Sequence, residues 1–186
     1  MAKTESTMLP LGTTAPSFSL PDTEGKPVSL EDARDAKAVL VMFICNHCPY
    51  VVHVAGELAR LGQDYIARGV AVFGINANDA TAYPDDSPAR MVDEVKRRGY
   101  TFPYLFDETQ AVAAAYHAAC TPDFFLFDGA RRLVYRGQLD DSRPGNGKPN
   151  NGRDLRAALD ALLEGRPIEG TQKPSLGCNI KWRARE

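Results

Sequence analysis

Two of the four cysteines lie three residues apart, as Cys45-x-x-Cys48. Thiols at this spacing can form a disulfide and exchange two electrons with a second disulfide. The pair follows a continuously apolar run, residues 38–44, and Pro49 then opens a helical pattern. Free backbone N–H groups and the helix dipole stabilise a thiolate at the start of a helix, so we expect a lowered pKa at Cys45. His47, when protonated, would add to this stabilisation.

The same spacing is also half of a zinc site, so metal binding is an alternative. A second C-x-x-C is absent, because Cys120 and Cys178 each stand alone. Covalent haem would need a histidine directly after Cys48, and Pro49 stands there. We therefore expect no metal and no organic cofactor. A redox-sensing or zinc-carrying binding module is the non-enzymatic alternative, and stoichiometric zinc in the purified protein would identify the zinc-carrying form.

Composition restricts the other classes of function. The chain has 186 residues, 44% hydrophobic and 25% charged, which is ordinary for a globular protein and predicts a single domain over residues 1–186. The net charge is 22 − 24 = −2, without the strongly basic field of nucleic-acid binders. The sequence shows neither a long apolar run nor an N-terminal secretory signal. We therefore expect no nucleic-acid or membrane partner and a cytoplasmic location, where thiols stay reduced.

Predicted strands alternate with predicted helices around the cysteine pair. The apolar runs 38–44 and 70–75 indicate strands buried on both faces, with a helix over 49–68 between them. The other predicted elements are two short strands within 16–30, a helix from Ser87 to Gly99, a strand at 104–106, a helix at 108–117, a hairpin of 124–127 and 133–135, a loop at 141–152 and a helix at 153–164. This order predicts an α/β fold with a central mixed sheet flanked by helices. The tail, residues 166–186, has no clear period.

The strand, Cys45-x-x-Cys48, helix and Thr121-Pro122 at the start of a later strand together resemble the thioredoxin-like superfamily. Residues 12–30, Gly-Thr-Thr-Ala-Pro-Ser-Phe-Ser-Leu-Pro-Asp-Thr-Glu-Gly-Lys-Pro-Val-Ser-Leu, resemble its redoxin branch, the alkyl hydroperoxide reductase and thiol-specific antioxidant type. The resemblance covers about residues 9–165. It implies a thioredoxin-like fold with an N-terminal β-hairpin extension.

The resemblance also implies a role for each residue of the motif. Cys45 would be the attacking thiol and Cys48 the resolving thiol of a thiol–disulfide oxidoreductase. Pro122 would be a cis proline facing them, and Thr121 would present backbone groups to a bound substrate strand. The implied substrates are protein or small-molecule disulfides, and the implied electron donor is a thioredoxin or glutathione system.

A peroxiredoxin-like thiol peroxidase is the alternative within the same branch. Two positions depart from thioredoxins proper, since Val39 stands where they have a buried acid and Ile44 where they have tryptophan. In the peroxidase alternative, Cys48 would be the thiol that reacts with peroxide. This reaction needs hydrogen-bond donors around the O–O bond and an arginine near the thiolate, a role that Arg143 could serve.

The remaining two cysteines have two interpretations each. Cys120 comes directly before Thr121-Pro122, so we expect it near the dithiol, as a buried small side chain or as a third redox cysteine. Cys178 lies in the tail. It is either part of a tail packed through Ile180 and Trp182, or a thiol that folds back and resolves a sulfenic acid.

Overall fold

The computed structural model describes residues 3–184 and shows an α/β fold, as predicted. Its strands are β1 (Lys3–Glu5), β2 (Ser19–Pro21), β3 (Pro27–Ser29), β4 (Ala38–Phe43), β5 (Val70–Asn76), β6 (Tyr104–Phe106), β7 (Cys120–Thr121), β8 (Asp123–Asp128), β9 (Leu133–Gly137) and β10 (Leu176–Asn179). Its α-helices are α1 (Pro49–Ile66), α2 (Pro88–Arg98), α3 (Ala111–Ala115) and α4 (Arg153–Leu163). Among the residues described, no helix is both long and apolar enough to cross a bilayer.

A five-stranded mixed sheet forms the centre, in the order β6-β5-β4-β8-β9. β4, β5 and β6 run parallel, whereas β8 is antiparallel to β4 and β9 is antiparallel to β8. Every residue of β4 is fully buried, as expected of an apolar strand covered on both faces. The cysteine motif therefore follows a strand that is buried along its whole length.

Alternate residues of β4 contribute to two hydrophobic clusters, one on each face of the sheet. Leu40 and Met42 pack with apolar residues of α1 and α4. Val41 and Phe43 pack with α3 and with the hairpin of β2 and β3, which confirms the predicted N-terminal hairpin. α1 and α4 thus cover one face of the sheet, α3 and the hairpin cover the other, and the carboxyl end of β4 is left to carry the site.

One helix is shorter than the sequence predicts. The alanine-rich stretch 108–117 was expected to be helical throughout, but α3 covers only Ala111–Ala115. Gln110 and His117 have left-handed backbones, with φ of 62° and 52°, which a continuous helix does not allow. The Asp107 carboxylate accepts the N–H of Ala113 at 2.8 Å and so fixes where this short helix starts.

The tail contains a strand that the sequence pattern does not reveal. β10 is the central strand of a three-stranded sheet, β1-β10-β7, in which Cys178 is paired with Lys3 on one side and Thr121 on the other. Ile180 is fully buried, whereas Trp182 is 46% exposed. Ile180 therefore anchors the tail, the expected role of Trp182 as a second anchor is wrong, and the buried core extends beyond residue 165.

Asp123, the first residue of β8, is a fully buried carboxyl. Burial raises its pKa from 3.8 to about 8, so the folded protein binds a proton there that the unfolded chain releases near pH 4. The buried Asp123 carboxyl therefore does not destabilise the fold below pH 4, and its destabilising effect grows as the pH rises toward 8. We expect Asp123→Asn to raise the melting temperature by several degrees at pH 8 and hardly at all at pH 4. Thermal unfolding across this range tests it, and a pH-independent difference would contradict the assignment.

Candidate active site

Cys45 and Cys48 lie at the junction between β4 and α1. β4 ends at Phe43, and Cys48 is the N-cap residue of α1, with Pro49 in the first turn of the helix. Proline suits this position because the first N–H groups of a helix have no partner within it. The predicted strand–cysteine pair–helix arrangement is therefore present. Both side chains are nearly inaccessible, with Cys45 2% and Cys48 0% exposed.

The loop before β8 contacts both sulfurs. The Thr121–Pro122 peptide bond is cis, as the resemblance implied. Cys45 Sγ lies 3.3 Å from Thr121 Oγ1, and Cys48 Sγ lies 3.3 Å from the Thr121 carbonyl oxygen. Thr121 therefore contacts both thiols although it lies 76 residues from Cys45 and 73 residues from Cys48 in the chain.

The lowered pKa belongs to Cys48 rather than to Cys45. The side-chain interaction with Cys45, against the opposing effect of burial, lowers the pKa of Cys48 to about 5. The same interaction with Cys48, burial and the nearby Asp86 carboxylate raise the pKa of Cys45 well above its ordinary value. The expectation of a lowered pKa at Cys45 is therefore wrong for this arrangement. This order of pKa values favours the thiolate form of Cys48 over that of Cys45.

A buried acid stands beside the site although the sequence has none at Val39. Asp86 is fully buried and accepts the backbone N–H of Asn46 at 2.8 Å and the Asn78 amide at 2.7 Å. Its carboxylate lies 2.6 Å from Nδ1 of His47. This contact raises the pKa of His47, which favours the imidazolium. Asp86 comes from a separate 3-10 turn, Pro84–Asp86, and no sequence motif links it to the cysteines.

His47 is the accessible edge of the site. Its side chain is 19% exposed, and its ring stacks on Tyr83 with centroids 5.6 Å apart. A groove of about 380 Å³ opens beside it, lined partly by Arg90 and Arg97. His47 therefore lies between this groove and the residues of the cysteine motif that are buried.

Three potential metal ligands also meet here. Donor atoms of Cys45, His47 and Asp86 lie within 4.8 Å of one another. A structural zinc site needs four ligands, and the Asp86 oxygens already accept two hydrogen bonds. The zinc-carrying module therefore stays an alternative that metal analysis of the purified protein tests.

The edge of β7 is occupied by the protein itself. Thr121 was expected to present its backbone to a substrate strand, but β10 pairs there, with Cys178 opposite Thr121. This pairing brings Cys178 Sγ to 2.7 Å from Cys48 Sγ. From the sequence, a Cys178 thiol that folds back was one of two interpretations, and no sequence pattern indicates its contact with Cys48.

The other two candidate residues are engaged elsewhere. Cys120 is fully buried, with its sulfur 3.6 Å from the Pro122 carbonyl oxygen, and burial strongly raises its pKa. It therefore fits a packed side chain better than a reactive thiol. The Arg143 guanidinium donates to the carbonyls of Asp140 and Ser142 and to the side chain of Gln138. These bonds hold the Arg143 guanidinium to its own loop.

Comparison with known proteins gives consistent sequence relatives. Residues 11–136 match the model of the AhpC/TSA family. The chain is 32% identical over 126 residues to the thiol-disulfide oxidoreductase ResA of Geobacillus thermodenitrificans, covering 67% of each chain. It is 30% identical over 115 residues to a Mycobacterium tuberculosis H37Rv protein provisionally named a peroxiredoxin, covering 62% of this chain and 68% of that protein.

Solved structures extend the similarity over the whole fold. An uncharacterized conserved protein of Geobacillus kaustophilus is 57% identical with a TM-score of 0.97, covering 100% of this chain and 99% of its own. A hypothetical protein of Sinorhizobium meliloti 1021 is 54% identical with a TM-score of 0.96, covering 98% of this chain and 100% of its own. A Chlorobium tepidum protein provisionally assigned as the thiol:disulfide interchange protein DsbE shares the fold at 21% identity and a TM-score of 0.66, covering 83% of this chain and 99% of its own.

Proposed function

We propose that Cys45 and Cys48 are the dithiol/disulfide couple of this chain, which belongs to the AhpC/TSA family and is a thioredoxin-like thiol–disulfide oxidoreductase. The observation that carries the proposal is that both sulfurs meet at Thr121, directly before the cis proline Pro122. Two thiols held against the same residue at a helix start can move between the dithiol and disulfide states by thiol–disulfide exchange.

The proposed reaction begins with a proton transfer between the two cysteines. Cys45 passes its proton to the Cys48 thiolate and attacks one sulfur of a substrate disulfide, so that the other substrate sulfur leaves as a thiolate. Cys48 then gives its proton to that leaving group and attacks Cys45, so that the second substrate sulfur leaves as a thiolate and takes a proton from water. The substrate disulfide is reduced to two thiols, and the cysteine pair is oxidised to a disulfide.

His47 and Asp86 are positioning residues in this scheme. His47, held by Asp86, has a ring nitrogen within 4.8 Å of Cys45 Sγ. A protonated imidazole there stabilises the Cys45 thiolate when Cys45 attacks a disulfide, and again when Cys45 is the leaving group. Thr121 supplies the hydroxyl contact to Cys45 from the opposite side.

A peroxiredoxin-like peroxidase is the second candidate, and one observation favours it. Cys48 has the low pKa of about 5, which a peroxide-reacting thiol needs at neutral pH. The provisional name of the Mycobacterium tuberculosis relative agrees with this candidate. The bonds that hold Arg143 in its loop oppose it.

The substrates and cellular setting are further parts of the proposal. Family membership implies thiol or disulfide substrates in general. Since β10 covers the edge of β7, we favour small-molecule disulfides, with protein disulfides as the alternative. A thioredoxin or glutathione system as electron donor and a cytoplasmic location remain predictions from the sequence, which cell fractionation and reconstitution with each donor test.

Turnover assays separate the two candidate functions. With dithiothreitol as electron donor, we expect the protein to reduce bis(2-hydroxyethyl) disulfide faster than hydrogen peroxide, and Cys45→Ser to abolish the disulfide reaction. The Cys120→Ala variant serves as the matched control, because it removes a buried thiol outside the proposed couple. Rapid peroxide reduction that survives in Cys45→Ser would instead identify Cys48 as a peroxidase thiol.

A further inference from the structure

We propose that Cys178 is a third redox-active cysteine, which forms a disulfide with Cys48 in competition with Cys45. The proposal deepens the function proposed above and rests on it, because Cys48 then has two alternative partners. The contact that carries it is the Cys48 Sγ–Cys178 Sγ distance of 2.7 Å. A disulfide bond is about 2.05 Å long, so bonding requires a shift of less than about 1 Å.

β10 holds Cys178 in this place through contacts on both of its flanks. Ser175 Oγ donates to the Pro122 carbonyl at 2.8 Å, and Ile180 N donates to the Ala119 carbonyl at 3.1 Å. Cys178 itself is paired with Thr121 and is 3% exposed. The strand is thus fixed across the loop that contains the cis proline. Cys178 does not have to be delivered by a moving tail.

Gly177 explains how β10 comes so close to that loop. A Cβ at this position would lie 2.6 Å from the Thr121 carbonyl carbon and nearer still to its oxygen. The same carbonyl oxygen is 3.3 Å from Cys48 Sγ. Only glycine leaves room for this approach, and the residue after it is the cysteine that reaches Cys48.

The chemistry is an internal disulfide exchange that needs no additional oxidant. After a substrate disulfide has oxidised the pair, the Cys178 thiol attacks Cys48 Sγ of the Cys45–Cys48 disulfide. The Cys48–Cys178 bond forms, the Cys45–Cys48 bond breaks, and the proton of Cys178 passes to the released Cys45 sulfur. No electrons are gained or lost, and Cys45 is free to attack a second disulfide while Cys48 stays oxidised.

Tryptic peptides distinguish the two disulfides directly. Trypsin does not cleave before proline, so Cys45 and Cys48 share peptide 38–60, Cys120 lies in 99–131 and Cys178 lies in 157–181. The Cys45–Cys48 disulfide is therefore internal to one peptide, whereas the Cys48–Cys178 disulfide links two. The experiment oxidises the full-length protein with glutathione disulfide, quenches it with acid, alkylates the free thiols and measures the peptide masses.

We expect peptide 38–60 linked to 157–181 in the wild type and, at a yield at least tenfold higher, in Cys45→Ser, where Cys48 has lost its other partner. Cys178→Ser should abolish the link and keep the internal disulfide, and Cys120→Ala should leave both unchanged. If the link is absent from the wild type or from Cys45→Ser while the internal disulfide is present in the wild type, only the proposed role of Cys178 is overturned. Absence of the internal disulfide from the wild type and from Cys178→Ser would overturn the proposed function instead.

Discussion

Replacing Cys48 by serine should convert the protein into a covalent trap for its substrate. Cys45 can still attack a disulfide, but serine cannot resolve the mixed disulfide that forms, so the reaction stops after one step. Turnover should fall by about a thousandfold or more, as when one member of a catalytic unit is removed. We expect the Cys48→Ser protein, incubated with glutathione disulfide, to carry one glutathione on Cys45, as detected by intact and peptide mass.

Cys178 and Cys120 determine the background reaction and the control variant of this experiment. The experiment is best performed with Cys178→Ser also present, because Cys178 is the remaining thiol nearest to position 48. Cys120→Ala should resolve normally, since Cys120 is buried apart from the exchange. Glutathione found on Cys48 of Cys45→Ser, but never on Cys45 of Cys48→Ser, would show that the roles of attacking and resolving thiol are reversed.

Gly177→Ala should be the most destabilising single change of a glycine to alanine near the site. Its methyl group would overlap the Thr121 carbonyl, which is backbone of the loop that contains the cis proline and cannot rotate away. We expect a loss of roughly 3 kcal/mol in the free energy of unfolding, at the upper end for overpacking. Denaturant unfolding measures it. Alkylation of Cys178 by iodoacetamide in the native protein should accelerate as β10 separates from β7.

Gly56→Ala is the matched control for this substitution. Gly56 lies inside α1, and an added Cβ would meet only Arg60 Nη1, at an ordinary 3.8 Å. Alanine should stabilise the helix there by about 0.5–1 kcal/mol. Equal stability of Gly177→Ala and the wild type would contradict the close seating of β10 on Thr121.

The local features of the site could be predicted from the sequence because neighbouring residues determine them. The apolar run before Cys45 indicated a buried strand, and Pro49 indicated the start of a helix. Together they placed both cysteines at the β4–α1 junction without any knowledge of tertiary contacts. The resemblance to redoxins predicted that Pro122 is a cis proline, and the structure confirms this.

The other contributions to the site come from residues distant in the chain. Asp86 reaches Asn46 across 40 residues and Cys178 reaches Cys48 across 130. β7 and β10 have two and four residues, which is too short for a period to be recognised. The pKa order of Cys45 and Cys48 depends on these same contacts. It could not be derived from the helix dipole alone, which favours a thiolate at either cysteine.

The proposed function depends on Cys45 and Cys48 forming a reversible redox couple. Equilibration of the wild type and of Cys178→Ser in glutathione buffers of stepped ratio, followed by alkylation and peptide mass, measures this directly. We expect an internal disulfide in peptide 38–60 that appears and disappears reversibly with the glutathione ratio in both proteins. Its final yield should be higher in Cys178→Ser, where no competing partner remains. If the internal disulfide forms at no ratio in either protein, Cys45 and Cys48 are not a dithiol couple and the proposed function is wrong.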